Sequence, residues 1–392
     1  MIKRFLPIFY AVLAPVIPGI MLFGSFKYLS KFSDFPEYYT VSWMVTHGCG
    51  ADIYNLSRYE MAQNQFFPQM SERIVGFYLA PMAVPLLLPV HLLPLQHSFF
   101  LWFVFLLICT LASIFLLVKG LQLSLKSALM IWAFTCISGP VFESLRIGQI
   151  GPVLLLGYSA FILCERLNRP WLSAIALLPF LCKPHLLLPQ TAFLAGGRRY
   201  RELIVLLSMA VVLLLSAFYM IGFEGLNSYY GHVQTNLIVQ EHITPTLRDQ
   251  IRLLFPAASS LMNTLSLPVY LLVLLYLFRQ ARVAGDSIFE RSILVSIPAA
   301  LLFSPYVHVY DWLLLTPSVI VFFVKGYAEK LPRPAVIFLF LALAILFLPA
   351  FSFIHHYYLV KGGIINPFFW VGLYFWILLC CLPQEASVRQ KD

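Results

Sequence analysis

The chain has 392 residues, of which 60% are hydrophobic and only 11% carry a charge. With a mean hydropathy of +0.84, this composition excludes a soluble enzyme and is typical of a helical membrane protein with many spans. The net charge of +9 does not indicate nucleic-acid binding, because the Lys and Arg residues fall in short clusters between apolar runs. Loops of membrane proteins distribute their basic residues in this way.

The first apolar run, Phe5–Phe26, follows two basic residues and resembles the start of a signal peptide. It is too long for a signal peptide and lacks a small-residue cleavage site, so it is predicted to be a retained signal-anchor helix.

Nine further apolar runs predict membrane segments. They are Ser98–Val118, Ser127–Phe142, Ile150–Cys164, Leu203–Ile221, Leu265–Phe278, Ser292–Phe303, Trp312–Val324, Ala335–Phe351 and Pro367–Leu382. Two more stretches are ambiguous because prolines interrupt them: Phe77–Leu95 contains four, and Trp171–Leu194 contains three around Lys183.

The distribution of basic residues favours one topology. If Phe77–Leu95 does not cross, and Trp171–Leu194 forms two half-helices that meet on the outer side at Lys183, 17 of the 26 Lys and Arg residues lie inside. If both stretches cross once, 14 Lys and Arg residues lie inside and 11 outside, and Lys183 lies in mid-membrane. The first arrangement predicts a single all-α integral membrane domain over residues 1–392, with about twelve membrane segments and both termini in the cytoplasm.

Two long outer connections follow from this topology, at residues 27–97 and 222–261. Connections of this length in a compact protein usually carry function. The first alternates aromatic, proline and polar residues, which predicts amphipathic helices that lie on the membrane surface.

Asp34 and Glu37 open the first outer connection. A carboxylate at the edge of a bilayer is costly unless it pairs, binds a ligand or takes part in chemistry. Asp34 is therefore the candidate catalytic base, and Glu37 is a candidate supporting residue. The alternative for Asp34 is a solvated loop residue, or a partner of Lys31.

Several cationic side chains fall at predicted helix breaks on the outer face, where a phosphate group could bind. The candidates for a phosphate site are Arg146, Lys183, His185, Arg248 and His308. Gln149, Tyr306 and Asp311 are candidate supporting or acceptor-binding residues.

Four of these residues also have a purely structural interpretation. Arg146 could pair with Glu143 one turn earlier, and Lys183 could extend from an ordinary helix towards the headgroups. His308 could be a core histidine bonded to a carbonyl. Asp311 could cap the helix that starts at Trp312.

No motif of a soluble enzyme is present, since the sequence has no Walker loop, GxGxxG before a strand, HExxH or GxSxG. The seven cysteines show no ligand-like spacing and are expected to be packing residues. Because Asp34 and Glu37 do not form a DxD pair, no metal site and no cofactor are expected.

A series of landmarks occurs in a consistent order along most of the chain. They are Asp34, Gly48, Tyr54, Tyr78, Pro81, Gly148-Gln149, Lys183-Pro184, Ser304-Pro305-Tyr306 and Asp311. In this order they resemble the GT-C class of polytopic glycosyltransferases and, within it, glycosyltransferase family 87, the mannosyl and arabinofuranosyl transferases that use polyprenyl-phosphate sugars. The chain departs from the usual Tyr-Pro-Pro pattern, with Tyr78-Leu79-Ala80-Pro81 in its place.

This resemblance implies an inverting transfer of a hexose, mannose in the first instance, from a polyprenyl-phosphate donor to a lipid or glycan acceptor on the outer face. It implies Asp34 as the base, the cations as ligands of the lipid phosphate, and no metal. The expected location is the bacterial inner membrane. Partners are the donor, the acceptor and membrane lipids, without nucleic acid.

Two other classes of protein stay open at this point. A transporter or a flippase for lipid-linked sugars would suit the proline-broken segment around Lys183, although the sequence shows no counterpart of this break in a second half. A membrane scaffold without catalysis is the third hypothesis.

Overall fold

The computed structural model describes residues 34–67, 76–136, 138–239, 244–284, 288–346 and 366–382. All regular secondary structure within these ranges is helical, which confirms the predicted all-α fold. The predicted anchor Phe5–Phe26 lies outside the described residues.

The first half of the described chain contains ten helices. They are α1 (Phe35–Thr46), α2 (Leu56–Phe66), α3 (Val84–Leu87), α4 (Leu95–Leu121), α5 (Leu125–Cys136), α6 (Gly139–Ile147), α7 (Gly151–Arg166), α8 (Pro170–Ala176), α9 (Pro184–Gly196) and α10 (Tyr200–Val239). Helix α10 is kinked at Gly222, which has a φ of +66°. Short 3-10 segments lie at Gly50–Asp52, Pro81–Ala83, Leu88–His91 and Leu178–Cys182.

The second half contains six more helices. They are α11 (Leu247–Leu254), α12 (Ser259–Val283), α13 (Ile288–Phe303), α14 (Thr316–Val324), α15 (Arg333–Leu346) and α16 (Pro367–Cys381). Further 3-10 segments lie at Pro256–Ala258, Val309–Leu315 and Tyr327–Lys330.

Three helical stretches among the described residues are long and apolar enough to cross a membrane. They are Leu95–Leu121, Tyr200–Val233 and Pro256–Val283. Shorter apolar stretches accompany them at Pro81–His91, Pro170–Cys182, Val309–Val324, Arg333–Ala344 and Pro367–Cys381. The count of about twelve membrane segments stays a prediction.

Prolines divide the ambiguous stretches as the sequence indicates. Lys183 has non-helical backbone angles, φ −133° and ψ 70°, between the 3-10 segment Leu178–Cys182 and α9. The run Ser127–Phe142, expected to be one segment, instead divides into α5 and α6. Pro140 lies in the first turn of α6, where its missing N–H costs nothing.

The first outer connection contains helices α1 and α2, and α1 packs on the 3-10 segment Leu88–His91. Ser42 Oγ donates to the carbonyl of Leu88 at 2.6 Å and accepts from the N–H of His91 at 3.2 Å. In the second connection, residues 222–261, α10 continues as far as Val239, so much of this connection is helical. The position of both connections relative to the membrane stays a prediction.

Two contacts bring distant parts of the chain to one end of the bundle. The N–H of Ala80 donates to the carbonyl of Cys182 at 3.1 Å and fixes the loop around Tyr78 beside Lys183. Ser144 Oγ in α6 donates to the carbonyl of Tyr310 at 3.3 Å. The loop around Tyr78 therefore lies beside Lys183, and α6 lies beside Tyr310.

Candidate active site

Asp34 immediately precedes α1 but does not cap it with its side chain. An Asp at this position ordinarily accepts a hydrogen bond from the first turn of the helix, so its carboxylate is engaged elsewhere. Gln149 Nε2 donates to Asp34 Oδ2 at 2.5 Å, and the Asp34 N–H donates to the carbonyl of Ile147 at 2.7 Å. The end of α6 thus holds both the backbone and the side chain of Asp34.

Gln149 owes its position to the way in which α6 ends. Gly148 adopts φ +77°, and the N–H of Gln149 returns to the carbonyl of Ser144 at 2.8 Å, as in a Schellman motif. A Cβ atom on residue 148 would lie 3.1 Å from Phe35 Cβ, so only glycine fits here without displacing α1. Trp102 Nε1 donates to the carbonyl of Gly148 at 2.7 Å and also holds the turn in place.

Asp34 and Tyr38 together set the orientation of the Gln149 amide. Because an ionised carboxylate can only accept hydrogen bonds, the amide nitrogen faces Asp34, and the Tyr38 hydroxyl donates to Gln149 Oε1 at 3.1 Å. The Tyr38 side chain is fully buried, and burial, together with the negative charges of Glu37 and Asp34, raises the pKa of its hydroxyl well above the usual value. Tyr38 therefore keeps its proton and remains a donor. Tyr38 was not among the residues predicted from the sequence, although its position one helical turn after Asp34 is a usable signal.

Glu37 is buried one turn into α1, with 4% of its surface exposed. Its N–H donates to the carbonyl of Asp34 at 3.0 Å, and its own carbonyl accepts from the Tyr59 hydroxyl at 3.3 Å. Burial, and then the charges of Glu37 and Asp34, raise the pKa of the Tyr78 hydroxyl. The two carboxylates and Tyr78 therefore belong to one electrostatic group.

Lys183 and Asp311 form a buried ion pair at the centre of the site. Lys183 Nζ lies 2.7 Å from Asp311 Oδ1, and the two side chains are 5% and 1% exposed. Asp311 Oδ2 accepts from the N–H of His308 at 3.0 Å, and Lys183 Nζ lies 4.8 Å from the centre of the Tyr310 ring. Asp311 is the third residue of its 3-10 segment rather than the N-cap, and it anchors Lys183.

Tyr306, His308 and His185 surround this pair. The Tyr306 hydroxyl is hydrogen-bonded to His308 Nε2, and the rings of His185 and Tyr306 lie 6.2 Å apart. Burial, and then the charges of Asp311 and Glu37, raise the pKa of Tyr306 well above its usual value. The structure thus brings together five of the predicted residues with the Asp34 group.

Arg146 and Arg248 are engaged in ion pairs of their own. Arg146 donates from Nε and Nη2 to Glu143 Oε2, at 2.9 and 2.7 Å, which is the alternative that the sequence left open. Arg248 is buried on α11 and donates from Nε to Asp249 Oδ1 at 2.9 Å, in a second polar cluster. Among the described residues, no group of three or more His, Cys, Asp or Glu side chains is arranged to hold a metal ion.

An all-helical fold with long apolar helices, and with buried carboxylates and cations gathered at one end, defines a helical membrane protein with a polar site. The model of glycosyltransferase family 87 matches residues 77–305, more than half of the chain, and the chain belongs to this family. The protein is therefore a glycosyltransferase, and the resemblance seen in the sequence is confirmed. The predicted site residues outside the matched range are Asp34, Glu37, Tyr306, His308 and Asp311. Comparisons with curated proteins and with solved structures found no match.

Proposed function

We propose that the protein transfers a hexose, mannose in the first instance, from a polyprenyl-phosphate donor to a hydroxyl of a lipid or glycan acceptor, with inversion. Asp34 acts as the general base. The observation that carries this proposal is the Asp34 carboxylate, which does not cap its own helix and is held by Gln149. Asp34 and Asp311, the partner of Lys183, both act on the buried Tyr306 hydroxyl.

An inverting transfer needs one carboxylate on the acceptor side of the sugar. The acceptor oxygen attacks the anomeric carbon, the bond from that carbon to the phosphate oxygen breaks, and the carboxylate takes the hydroxyl proton. For this step the acceptor oxygen must come within about 2.6–3.2 Å of Asp34. The hydrogen bond from Gln149 keeps the carboxylate in a single orientation and so favours this contact.

The departing phosphate needs positive charge and hydrogen-bond donors on the opposite side of the sugar. The Lys183 ammonium carries three N–H donors, of which Asp311 accepts one, so Lys183 can bind a phosphate oxygen without losing its partner. His308 and His185 lie on the same side, next to Tyr306. Arg146 is assigned a weaker role, because Glu143 engages its guanidinium.

A lipid-linked donor fits the fold better than a nucleotide sugar. The described residues contain no α/β domain of the kind that binds nucleotides, whereas exposed apolar helices such as Tyr200–Val233 offer a surface for a prenyl chain. We place the reaction on the outer face of a bacterial inner membrane, because the basic residues concentrate on the inner side in the preferred topology.

The test uses purified protein with two panels of donors, polyprenyl-phosphate sugars and nucleotide sugars, together with a membrane lipid extract. Mass spectrometry detects new glycosylated products, and NMR of the product reports the anomeric configuration. The proposal predicts a product from the polyprenyl-phosphate panel alone, with inverted configuration. A product that forms only from nucleotide sugars, or with retained configuration, would contradict it.

A further inference from the structure

A second cluster of buried polar side chains lies where α11 and the start of α16 meet, apart from the Asp34 group. The side chains of this cluster are buried, with 5% of their surface exposed or less. They are Thr244, Thr246, Arg248, Asp249, Gln250 and Asn366. Of these, only Arg248 was a candidate from the sequence.

The Asp249 carboxylate accepts hydrogen bonds from other side chains and from the backbone of this cluster. It accepts from the N–H of Thr244 at 3.1 Å, from the Thr244 hydroxyl, from Arg248 Nε at 2.9 Å and from Arg252 Nη1 at 3.4 Å. These four hydrogen bonds use the acceptor capacity of its two oxygens. Asp249 therefore has little capacity left for other donors nearby.

The amides of Gln250 and Asn366 have orientations that the backbone dictates. Gln250 Oε1 accepts from the N–H of Asn366 at 3.0 Å, and Asn366 Oδ1 accepts from the N–H of Phe368 at 3.1 Å. Because a backbone N–H can only donate, each amide must present its oxygen to the backbone and its nitrogen elsewhere. Neither amide can turn over to satisfy its nitrogen.

Both of these amide nitrogens are buried, and neither finds an acceptor within the part of the chain that the structure describes. Gln250 is 1% exposed and Asn366 is 0% exposed. Arg252 Nε is a further buried donor without an acceptor in the same ranges. Since a buried donor without a partner costs stability, such a group of donors indicates a ligand with acceptor oxygens.

The start of α16 adds to the attraction for an anion. Asn366 is the N-cap of this 15-residue helix, whose positive dipole end therefore lies at the cluster. Arg248 and Arg252 bring positive charge from α11. A phosphate group supplies several acceptor oxygens and negative charge together, and it matches these donors.

An apolar helix begins directly beside the cluster. The stretch Pro256–Val283 follows α11 and is only 11% buried over its most apolar window, and side chains such as Leu267, Leu271 and Leu272 are more than half exposed. A phosphate held at Asn366 would have this face available for a hydrocarbon chain. The combination suits a lipid phosphate better than a water-soluble one.

A pair of aromatic residues joins the cluster to the Asp34 and Lys183 site. Phe368, two residues after Asn366, packs on Trp312 with ring centroids 5.6 Å apart, and Trp312 follows Asp311 in the chain. Gly372 lets the helix approach closely, because a Cβ there would collide with the Trp312 ring. The Phe368–Trp312 contact therefore links the cluster to the segment that carries Asp311.

We propose that Gln250 on α11 and Asn366 at the start of α16 bind the phosphate group of a polyprenyl-phosphate lipid. This proposal rests on the proposed function. It names the residues that bind the phosphate of the polyprenyl-phosphate sugar and, after transfer, of the polyprenyl monophosphate that remains. In this arrangement Lys183 contacts the phosphate oxygen that separates from the sugar, and Gln250 and Asn366 contact other oxygens of the same phosphate.

Two isosteric variants test this assignment, Asn366→Asp and Gln250→Glu. Each keeps the oxygen that accepts from the backbone and replaces only the amide nitrogen, by an oxygen that repels phosphate. Asp is also a good N-cap, so the helix start is preserved. The matched control is Gln190→Glu, because Gln190 is equally buried, also leaves Nε2 without an acceptor in the described residues and accepts from the Tyr158 hydroxyl at 3.3 Å.

The measurement is the binding of polyprenyl monophosphate to the full chain in nanodiscs, with thermal unfolding recorded for each variant. We expect Asn366→Asp and Gln250→Glu to bind polyprenyl monophosphate at least about tenfold more weakly than the wild type, and Gln190→Glu to bind it nearly as well as the wild type. Inorganic phosphate at high concentration should compete for the site. Wild-type binding in both site variants would overturn the assignment. Equal competition by phosphatidylglycerol would overturn it too, since the cluster would then be a general headgroup site.

The outcome is separate from that of the proposed function. Asp34→Asn is expected to bind polyprenyl monophosphate as the wild type does, because Asp34 acts on the acceptor. If polyprenyl-phosphate sugars support transfer and both site variants retain wild-type donor kinetics, the proposed function stands and the lipid-phosphate site is wrong. If no polyprenyl-phosphate sugar supports transfer, the proposed function is wrong, whatever the variants bind.

Discussion

Gln149 Nε2 donates to Asp34 Oδ2 across 115 positions of sequence, at 2.5 Å. Tyr38 fixes the other end of the same amide, so the carboxylate, the amide and the phenol form one chain of hydrogen bonds. These hydrogen bonds give the Asp34 carboxylate a defined orientation, and Asp34 does not cap α1 with its side chain.

Replacement of Gln149 by Leu removes the donor that orients Asp34. We expect kcat to fall about ten- to a hundredfold, because a misplaced base loses its alignment with the acceptor, whereas KM for the donor stays close to that of the wild type. Steady-state kinetics with varied donor separates the two constants.

The matched control for this change is Gln190→Leu. Gln190 is also buried and also accepts from a tyrosine hydroxyl, that of Tyr158. Both variants should lose about 1–3 kcal/mol of stability for the orphaned hydroxyl, but only Gln149→Leu should lose activity. Equal activity losses in the two variants would show that Gln149 has a purely structural role.

Gly148→Ala should distort the turn that places Gln149. A residue other than glycine at φ +77° costs about 1–2 kcal/mol, and the added Cβ also meets Phe35 at 3.1 Å. Gly326 offers the control, because its φ is +75° but the nearest atom to an added Cβ is 3.8 Å away, on Glu329. Denaturation should show a larger loss in the free energy of unfolding for Gly148→Ala than for Gly326→Ala. Sugar transfer should be impaired in Gly148→Ala alone. Full activity in a folded Gly148→Ala would contradict the role of the turn.

The Lys183–Asp311 pair can be separated into its structural and chemical roles. Lys183→Met alone leaves a buried carboxylate without its cation and should destabilise the fold by about 3–5 kcal/mol. The double change Lys183→Met with Asp311→Leu removes both charges and should recover most of this stability. If Lys183 stabilises the departing phosphate, the double variant remains inactive. A stable and active double variant would limit the pair to a structural role.

The sequence predicted the features that depend on local signals. Prolines on both sides of Lys183 indicated the break in its helix, and the spacing of Glu143 and Arg146 offered their ion pair as the alternative to the predicted phosphate role of Arg146. The apolar runs predicted most of the described helices, although the run Ser127–Phe142 divides in two. Each of these features is decided within a few residues of chain.

Contacts between distant residues were beyond such signals. Lys183 and Asp311 lie 128 positions apart, and Gln250 and Asn366 lie 116 apart, so only the packing of whole helices brings them together. Because Asn366 is a neutral amide, a search of the sequence for charged residues does not find it. Their importance follows from burial and from the backbone donors that fix them.

The central claim is that Asp34 takes the proton of the acceptor hydroxyl. The most direct measurement compares transfer by Asp34→Asn with transfer by Asp52→Asn, an acid of the same outer connection that lies in the 3-10 segment Gly50–Asp52. Asn can still accept from Gln149, so the fold and donor binding should persist while the rate falls by about 10²–10⁴-fold. Asp52→Asn should transfer at the wild-type rate. Transfer by Asp34→Asn at a rate near that of the wild type would contradict the account.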